Sequence, residues 1–482
     1  MAKVNLSQLS ACVEDARIAW LDTDRGPAAP TPYAPLLTRL AAAVGKLPPL
    51  YRDATAEPFL AAIEHLGAAQ FTDVLKKDPK GEGTAGLMLD IAQSILQHGA
   101  GQQQRPLAAF QELISDCYDG FLSAEDRRGV RPPDFEIIAP LVKWGNPDSG
   151  PYTWPVDATR TFGLTAGVVN LPPANARHGL CAWAALGHEC GGRAILHADR
   201  GLLTELCDRV HAALIKAKLG PRISDYWSSR IDATASDVLG VLSLGPAAGV
   251  GLIACCRGIN AALGWGPTVS SEGPADDPHP TDLVRAYLAA QTVRRLGFSG
   301  AKAWADAIAA ETDRDAAKIV LAGTEVTQAQ ATQAAAVVAG TIAMERLTAL
   351  DGHAFGQIQN WCDHDEDVVA ELKPMLTAKL AAPVSFASDA YAAHVVAAAV
   401  VLALEGAAPI PRLFARLLAG MEAMHDANPS WGALYVVHPG DIARDRVFSK
   451  RAFGGRRRSV RTSARRGHRN RGADRPPADH QP

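Results

Sequence analysis

The sequence predicts a mainly α protein with a small β component (α+β), and three observations lead there. Apolar residues recur at spacings of three and four through most of the 482-residue chain, with the strong helix former alanine abundant among them. Gly and Pro punctuate the gaps between these periodic runs, as they do between helices. Strand composition appears in the stretch 159–171 (TRTFGLTAGVVNL), which is rich in β-branched residues and stops at Pro172 and Pro173.

Periodicity places candidate helices at 6–20, 35–47, 56–66, 84–98 and 106–121. The charged, Pro-containing segment 123–134 (SAEDRRGVRPPD) is the best boundary, closing a helical N-terminal domain over 1–134. Long helices are expected at 178–202 and 225–244. Helical pattern resumes near residue 295, through 301–311, 327–350, 365–380, 388–405 and 411–425, which makes 295–448 a helical C-terminal domain. Residues 238–256 run nineteen positions without a charge, about the length that crosses a bilayer. Four glycines and Pro246 interrupt the run, so it reads as a buried helix end, a turn at Gly245 and Pro246, and a second apolar segment rather than a span.

A hydrophobic fraction of 48% with 21% charged residues excludes a disordered chain, and the length allows two to four domains, each with its own core. The opening residues MAKVNLSQLSACVEDARIAW carry acids early and no apolar run before a cleavage site, which predicts no secretory signal and a cytoplasmic location. Eight scattered cysteines with no CxxC pair suit reduced thiols. The net charge of -3 hides an asymmetry: from Lys450 onward eleven Lys or Arg stand against Asp474 and Asp479. This basic tail, 449–482, has too little apolar surface to fold and is expected to be disordered. It is the only part of the sequence that suggests nucleic acid as a partner. Its abrupt shift to arginine also fits an altered C-terminus, such as an out-of-frame reading of an arginine-coding stretch.

The chemistry is expected between residues 164 and 285. Residues 187–197 read GHECGGRAILH, and His188-Glu189 opens as an HExxH motif does. In that motif two histidines four apart lie about 40° round the helix, both reach one zinc, and the glutamate acts as general base on the bound water. Here Gly192 holds the second ligand position, followed by Arg193, and His197 lies nine residues on, about 180° round a regular helix. On the next helix, 230–240 reads RIDATASDVLG; further on, 277–285 reads DPHPTDLVR, in which His279-Pro280 is followed after four residues by Arg285.

Together these segments resemble the gluzincin clan of zincin metallopeptidases, over about a quarter of the chain. The resemblance implies a zincin-like core over 135–294, with a small sheet and two central helices, flanked by the helical domains. It implies zinc held by His188, with Glu189 as the catalytic base. The third-ligand glutamate is replaced by Ala233, while Asp237 occupies the position of the aspartate that orients the first histidine. His279 and Arg285 correspond to the His-Pro and Arg element that reaches the site, where they would contact a peptide carbonyl or developing oxyanion. The strand before the catalytic helix would be an edge that pairs with extended peptide. Closed or catalytic zinc sites use at least three protein ligands, so His197 and Asp232 are the candidate further ligands. Arg193 beside the vacant positions is a candidate stand-in for the cation. A peptide or protein substrate or partner follows, bound or hydrolysed.

Each residue also has a plain structural reading. Glu189 and Arg193 fit an i,i+4 ion pair, Asp237 a surface carboxylate, Cys190 a buried thiol, and 363–367 (DHDED) the acidic start of a helix. On those readings the protein is a helical scaffold that binds partners and has no catalytic activity. The two classes differ in space: an active-site-like protein gathers His188, Glu189, Asp237 and His279 around one cleft.

Overall fold

A computed structural model describes residues 4–27, 32–100, 104–122, 127, 129–134, 138–147, 150–191, 193–377, 390–428 and 431. The basic segment 449–482 lies outside the described residues. The fold is mainly helical with two small sheets. Six helices come first: α1 (Leu9–Leu21), α2 (Tyr33–Val44), the single turn α3 (Pro49–Tyr51), α4 (Glu57–Lys77), α5 (Thr84–Ala100) and α6 (Gln104–Leu122). Gly67, at φ 70°, kinks α4 just after the end expected at residue 66, and a second helical run continues to Lys77.

The main sheet has the order β1-β3-β2. β1 (Ile138–Trp144) runs parallel to β3 (Ala166–Leu171), and β2 (Tyr152–Trp154) runs antiparallel on the other flank of β3. The expected strand over 159–171 is therefore shorter. Its first residues belong to α7 (Val156–Thr159) and a 3₁₀ turn that Gly163 closes at φ 81°. The expectation that this strand is an edge is also corrected, because both of its flanks are paired. Both faces of the sheet are covered. Val142, Val169 and Leu171 join the large core that runs from Leu9 to Met424, while Leu141, Ala166 and Val168 face a second core under α2, α4 and α5.

The centre follows as α8 (Leu180–Gly191), α9 (Arg193–Leu196), α10 (Leu202–Lys216), α11 (Pro221–Ser228), α12 (Ile231–Leu244) and α13 (Pro246–Ala262). The single helix expected over 178–202 is instead α8 and α9, followed by Gly201 at φ 78°, and that over 225–244 is divided at Ser229 and Arg230 between α11 and α12. The charge-free run splits at Gly245, φ 62°, between α12 and α13. Among the described residues no helix is long and apolar enough to cross a membrane.

The remainder comprises α14 (Asp282–Val293), α15 (Ala301–Asp313), the hairpin β4 (Ile319–Leu321) and β5 (Thr324–Val326), α16 (Gln328–Met344), α17 (Phe355–Ile358), α18 (Asp363–Thr377), α19 (Ala392–Glu405) and α20 (Ile410–Asp426). Ala322 and Gly323 turn the hairpin with φ of 45° and 77°, the two positive values a tight hairpin turn demands. α18 starts at the acidic cluster, where Asp365 accepts the Cys362 N–H at 2.7 Å. α1 packs on α13, and α20 on α6.

Two close helix crossings position the site. A Cβ on Gly240 of α12 would lie 2.7 Å from the carbonyl carbon of Gly187 on α8, so these backbones touch. A Cβ on Gly251 of α13 would lie 2.8 Å from Ala184 Cβ on the neighbouring flank of α8. Only small residues permit such approach.

Candidate functional site

His188 and Glu189 occupy the last turn of α8. The helix begins after Gly179, at φ 76°, and the Leu180 N–H donates to the buried Asp15 of α1 at 2.8 Å, which satisfies an otherwise orphaned donor. The Gly187–Gly240 contact then brings His188, one residue later, beside Asp237, three residues before Gly240. His188 Nδ1 lies 2.7 Å from Asp237 Oδ1.

Arg285, from the first turn of α14, completes the arrangement. Its Nε donates to Asp237 Oδ2 at 2.8 Å and its Nη2 to Oδ1 at 2.9 Å, a two-pronged pair in which Asp237 is buried and Arg285 partly so. The Nη2 also lies 3.4 Å from His188 Nδ1. A guanidinium has no acceptor, so this approach reflects two donors converging on one oxygen, and the Nδ1 proton belongs to the bond with Asp237. His188 Nε2 is thereby left as the nitrogen with chemistry to do.

The electrostatics follow from this packing. Burial works to raise the Asp237 carboxyl, but the Arg285 guanidinium and then His188 override it and hold the group below the usual carboxylate range. Burial opposes the charge on Arg285, and Asp237 overrides it, so the guanidinium stays charged.

The loop before α14 delivers His279. The Thr281 N–H donates to Tyr226 Oη at 2.8 Å, and Arg230 Nη2 donates to Ala275 O at 2.6 Å while its guanidinium stacks 4.3 Å over the Tyr226 ring. With the loop held by α11 and α12, the His279 ring lies 5.7 Å from that of His188. Partial burial, the Arg285 charge and His188 together lower the basicity of His279.

Glu189 faces β2. The Thr153 hydroxyl donates to Glu189 Oε2 at 2.6 Å. His188, Glu189, His279 and Arg285 close one end of a cavity of about 240 Å³ between α1, α8 and α13. The rest of its wall is largely apolar, including Ala19 and Trp20 of α1, Ala182 and Ala185 of α8, and Leu252 and Ile259 of α13. Two thiols of α13 also line it. Burial, followed by Asp15 and Cys12, pushes Cys255 up to about 12, and burial, followed by Asp282, raises Cys256 well above the ordinary thiol value. Neither is a thiolate nucleophile.

Other candidates lie apart from the cavity wall. His197 Nε2 and Asp232 Oδ2 are 4.0 Å from each other. Ala233 is buried on α12 and offers no donor. Gly192 lies outside the described residues, as do the side chains of Cys190 and Arg193. The guanidinium that meets His188 and Asp237 comes from Arg285. Among the described residues, no three His, Cys, Asp or Glu side chains gather to hold a metal ion. Thr153 and Asp15, which hold Glu189 and the start of α8, escape sequence reasoning because no local pattern marks either. Comparison of the chain with protein-family models, curated proteins and solved structures gives no match.

Proposed function

We propose that this protein is a metallopeptidase-like protein of zincin type whose degenerate site binds peptide rather than hydrolysing it through zinc. The observation that carries this reading is the meeting of His188, Glu189, His279 and Arg285 on the wall of one cavity, with Asp237 behind them bonded to His188 and Arg285, the five brought together from three helices and a loop. Such convergence of titratable groups on a concave, mostly apolar pocket is what a binding or catalytic site requires.

Zinc, which the resemblance implies, does not fit the donors described. His188 supplies one imidazole nitrogen, Ala233 supplies nothing, and Asp237 is engaged by Arg285. Three protein ligands are the minimum for a catalytic zinc. In this reading Asp237 and Arg285 fix the His188 ring, His188 Nε2 accepts a hydrogen bond from the ligand, and His279 and Glu189 supply further polar contacts. The seven described cysteines are free thiols, which supports a cytoplasmic location.

Elemental analysis of the purified full chain and of His188→Ala, together with peptide binding by calorimetry, tests the reading. The expected result is peptide binding that His188→Ala weakens, with substoichiometric zinc in both proteins. Zinc near one per chain that disappears in His188→Ala would overturn the metal-free site and establish a peptidase with unorthodox ligands. The second reading, a helical scaffold with no active-site function, is favoured by the exposed Leu263 and Trp265 at the end of α13, Trp265 being 71% exposed. Partner binding that survives His188→Ala and is lost in Trp265→Ala would support it.

A further inference from the structure

The cavity beside His188 has a charge balance that selects among ligands. Arg285 and Asp237 neutralise each other through two hydrogen bonds at 2.8 and 2.9 Å. Loss of basicity favours a neutral His279. Glu189 adds a carboxylate to the polar part of the wall, and Thr153 satisfies only its Oε2; among the described residues Oε1 has no hydrogen-bond partner. A carboxylate beside an apolar chamber is stabilised by a cation that donates hydrogen bonds and carries an apolar body.

Size narrows the choice further. At about 240 Å³ the cavity falls just below the ~300–1,000 Å³ of drug-sized sites, which suits one aliphatic chain or one large side chain. Ala182 and Ala185 sit one helical turn apart on the α8 face that leads to Glu189, and Leu252 and Ile259 on α13 line the same chamber. An ammonium group at Glu189 would therefore sit beside an apolar chamber.

We propose that this cavity binds a primary ammonium group bearing an apolar chain, with the ammonium on Glu189 and the chain among Ala182, Ala185, Leu252 and Ile259. The ammonium belongs to the free N-terminus of a peptide that begins with a large aliphatic residue, or to a small alkylamine. The proposal rests on the peptide-binding reading for the first source only. An anionic head group would meet the Glu189 carboxylate with like charge, and a longer chain would outrun the chamber.

Calorimetric titration of the full chain with four probes tests this. The probes are Leu-Gly-Gly-amide with a free N-terminus, its N-acetyl twin, hexylamine and hexanoate. The expected result is binding of the free peptide and of hexylamine, with acetylation weakening the peptide at least tenfold and hexanoate not binding. Glu189→Gln, nearly isosteric, should weaken both amines at least tenfold. Ala185→Leu, checked for an unchanged unfolding midpoint, should exclude them by filling the chamber. Acetylated and free peptides of equal affinity, or amine affinity unchanged in Glu189→Gln, overturn the ammonium site while leaving the peptide reading standing. Hexylamine binding without either peptide overturns the peptide reading and keeps the ammonium site. Binding of none of the probes overturns the ammonium site, and peptide binding by His188-dependent sequences then judges the broader reading separately.

Discussion

Asp237 holds Arg285 and His188 at once: its two carboxylate oxygens receive Arg285 Nε and Nη2, and the oxygen that takes Nη2 also faces His188 Nδ1 at 2.7 Å. All three side chains are largely removed from water. Removing one member of a buried, hydrogen-bonded pair leaves an uncompensated charge and costs about 3–5 kcal/mol. Asp237→Ala should therefore lose about that much unfolding free energy in urea. The double variant Asp237→Leu with Arg285→Met removes both charges and should recover much of the loss. A single variant as stable as the parent would mean that the pair is solvated in solution.

The same carboxylate gives a pH signature. Because its folded value is depressed below the ordinary aspartate value of about 3.9, the unfolded chain binds the proton more readily. The stabilising contribution is fully present above the unfolded value and is lost as pH falls through the folded one. The stability difference between the parent and the double variant should hold from neutral pH to about pH 5 and shift progressively against the parent below pH 4. Urea unfolding at a series of pH values measures it, and parallel curves for the two proteins would contradict the assignment.

Much of the helical order was legible in the sequence because local periodicity, Gly and Pro carry it. The candidate helices at 84–98, 106–121, 365–380 and 411–425 lie within a few residues of α5, α6, α18 and α20. β1 was not legible, because Pro140 and Lys143 argue against a buried strand. Pro140 is accommodated at a register shift between Ile138 and Leu141, and Lys143 is buried with its Nζ on Asp90 at 2.6 Å and Gln93 Oε1 at 2.8 Å. The same distinction runs through the site. His188, Glu189, Asp237, His279 and Arg285 sit in short recognisable spacings. Thr153 and Asp15 act on α8 across 36 and 165 residues of sequence, where no periodicity reaches.

The crossing of α8 and α12 depends on two missing methyl groups. In Gly240→Ala the new Cβ would stand 2.7 Å from the Gly187 carbonyl carbon and 3.0 Å from the His188 nitrogen, both backbone atoms that cannot rotate away. Overpacking of this kind typically costs about 1–3 kcal/mol, more than the small helix-propensity gain from Ala over Gly returns. Chemical denaturation should show a net loss of stability. Separation of the helices would also lengthen the His188–Asp237 bond, so ligand affinity should fall in the variant even where it remains folded. A stabilised Gly240→Ala would mean that the two helices stand further apart.

His279 offers the most direct reading of the site's electrostatics. Partial burial, Arg285 and His188 all act against its protonated form, while Asp237 and Asp277 act for it, and the first group prevails. Its folded value lies below the ordinary histidine value of about 6.5, so its contribution to stability is present above that pH and fades as pH falls through the window beneath it. NMR titration of the ring protons should show His279 titrating below a histidine in a denatured reference. Removing one opposing charge in Arg285→Met should move the titration upward, provided that the Asp237 carboxylate remains. An unchanged midpoint in that variant would place the guanidinium too far from the ring to be felt, and with it His279 outside the polar end of the cavity.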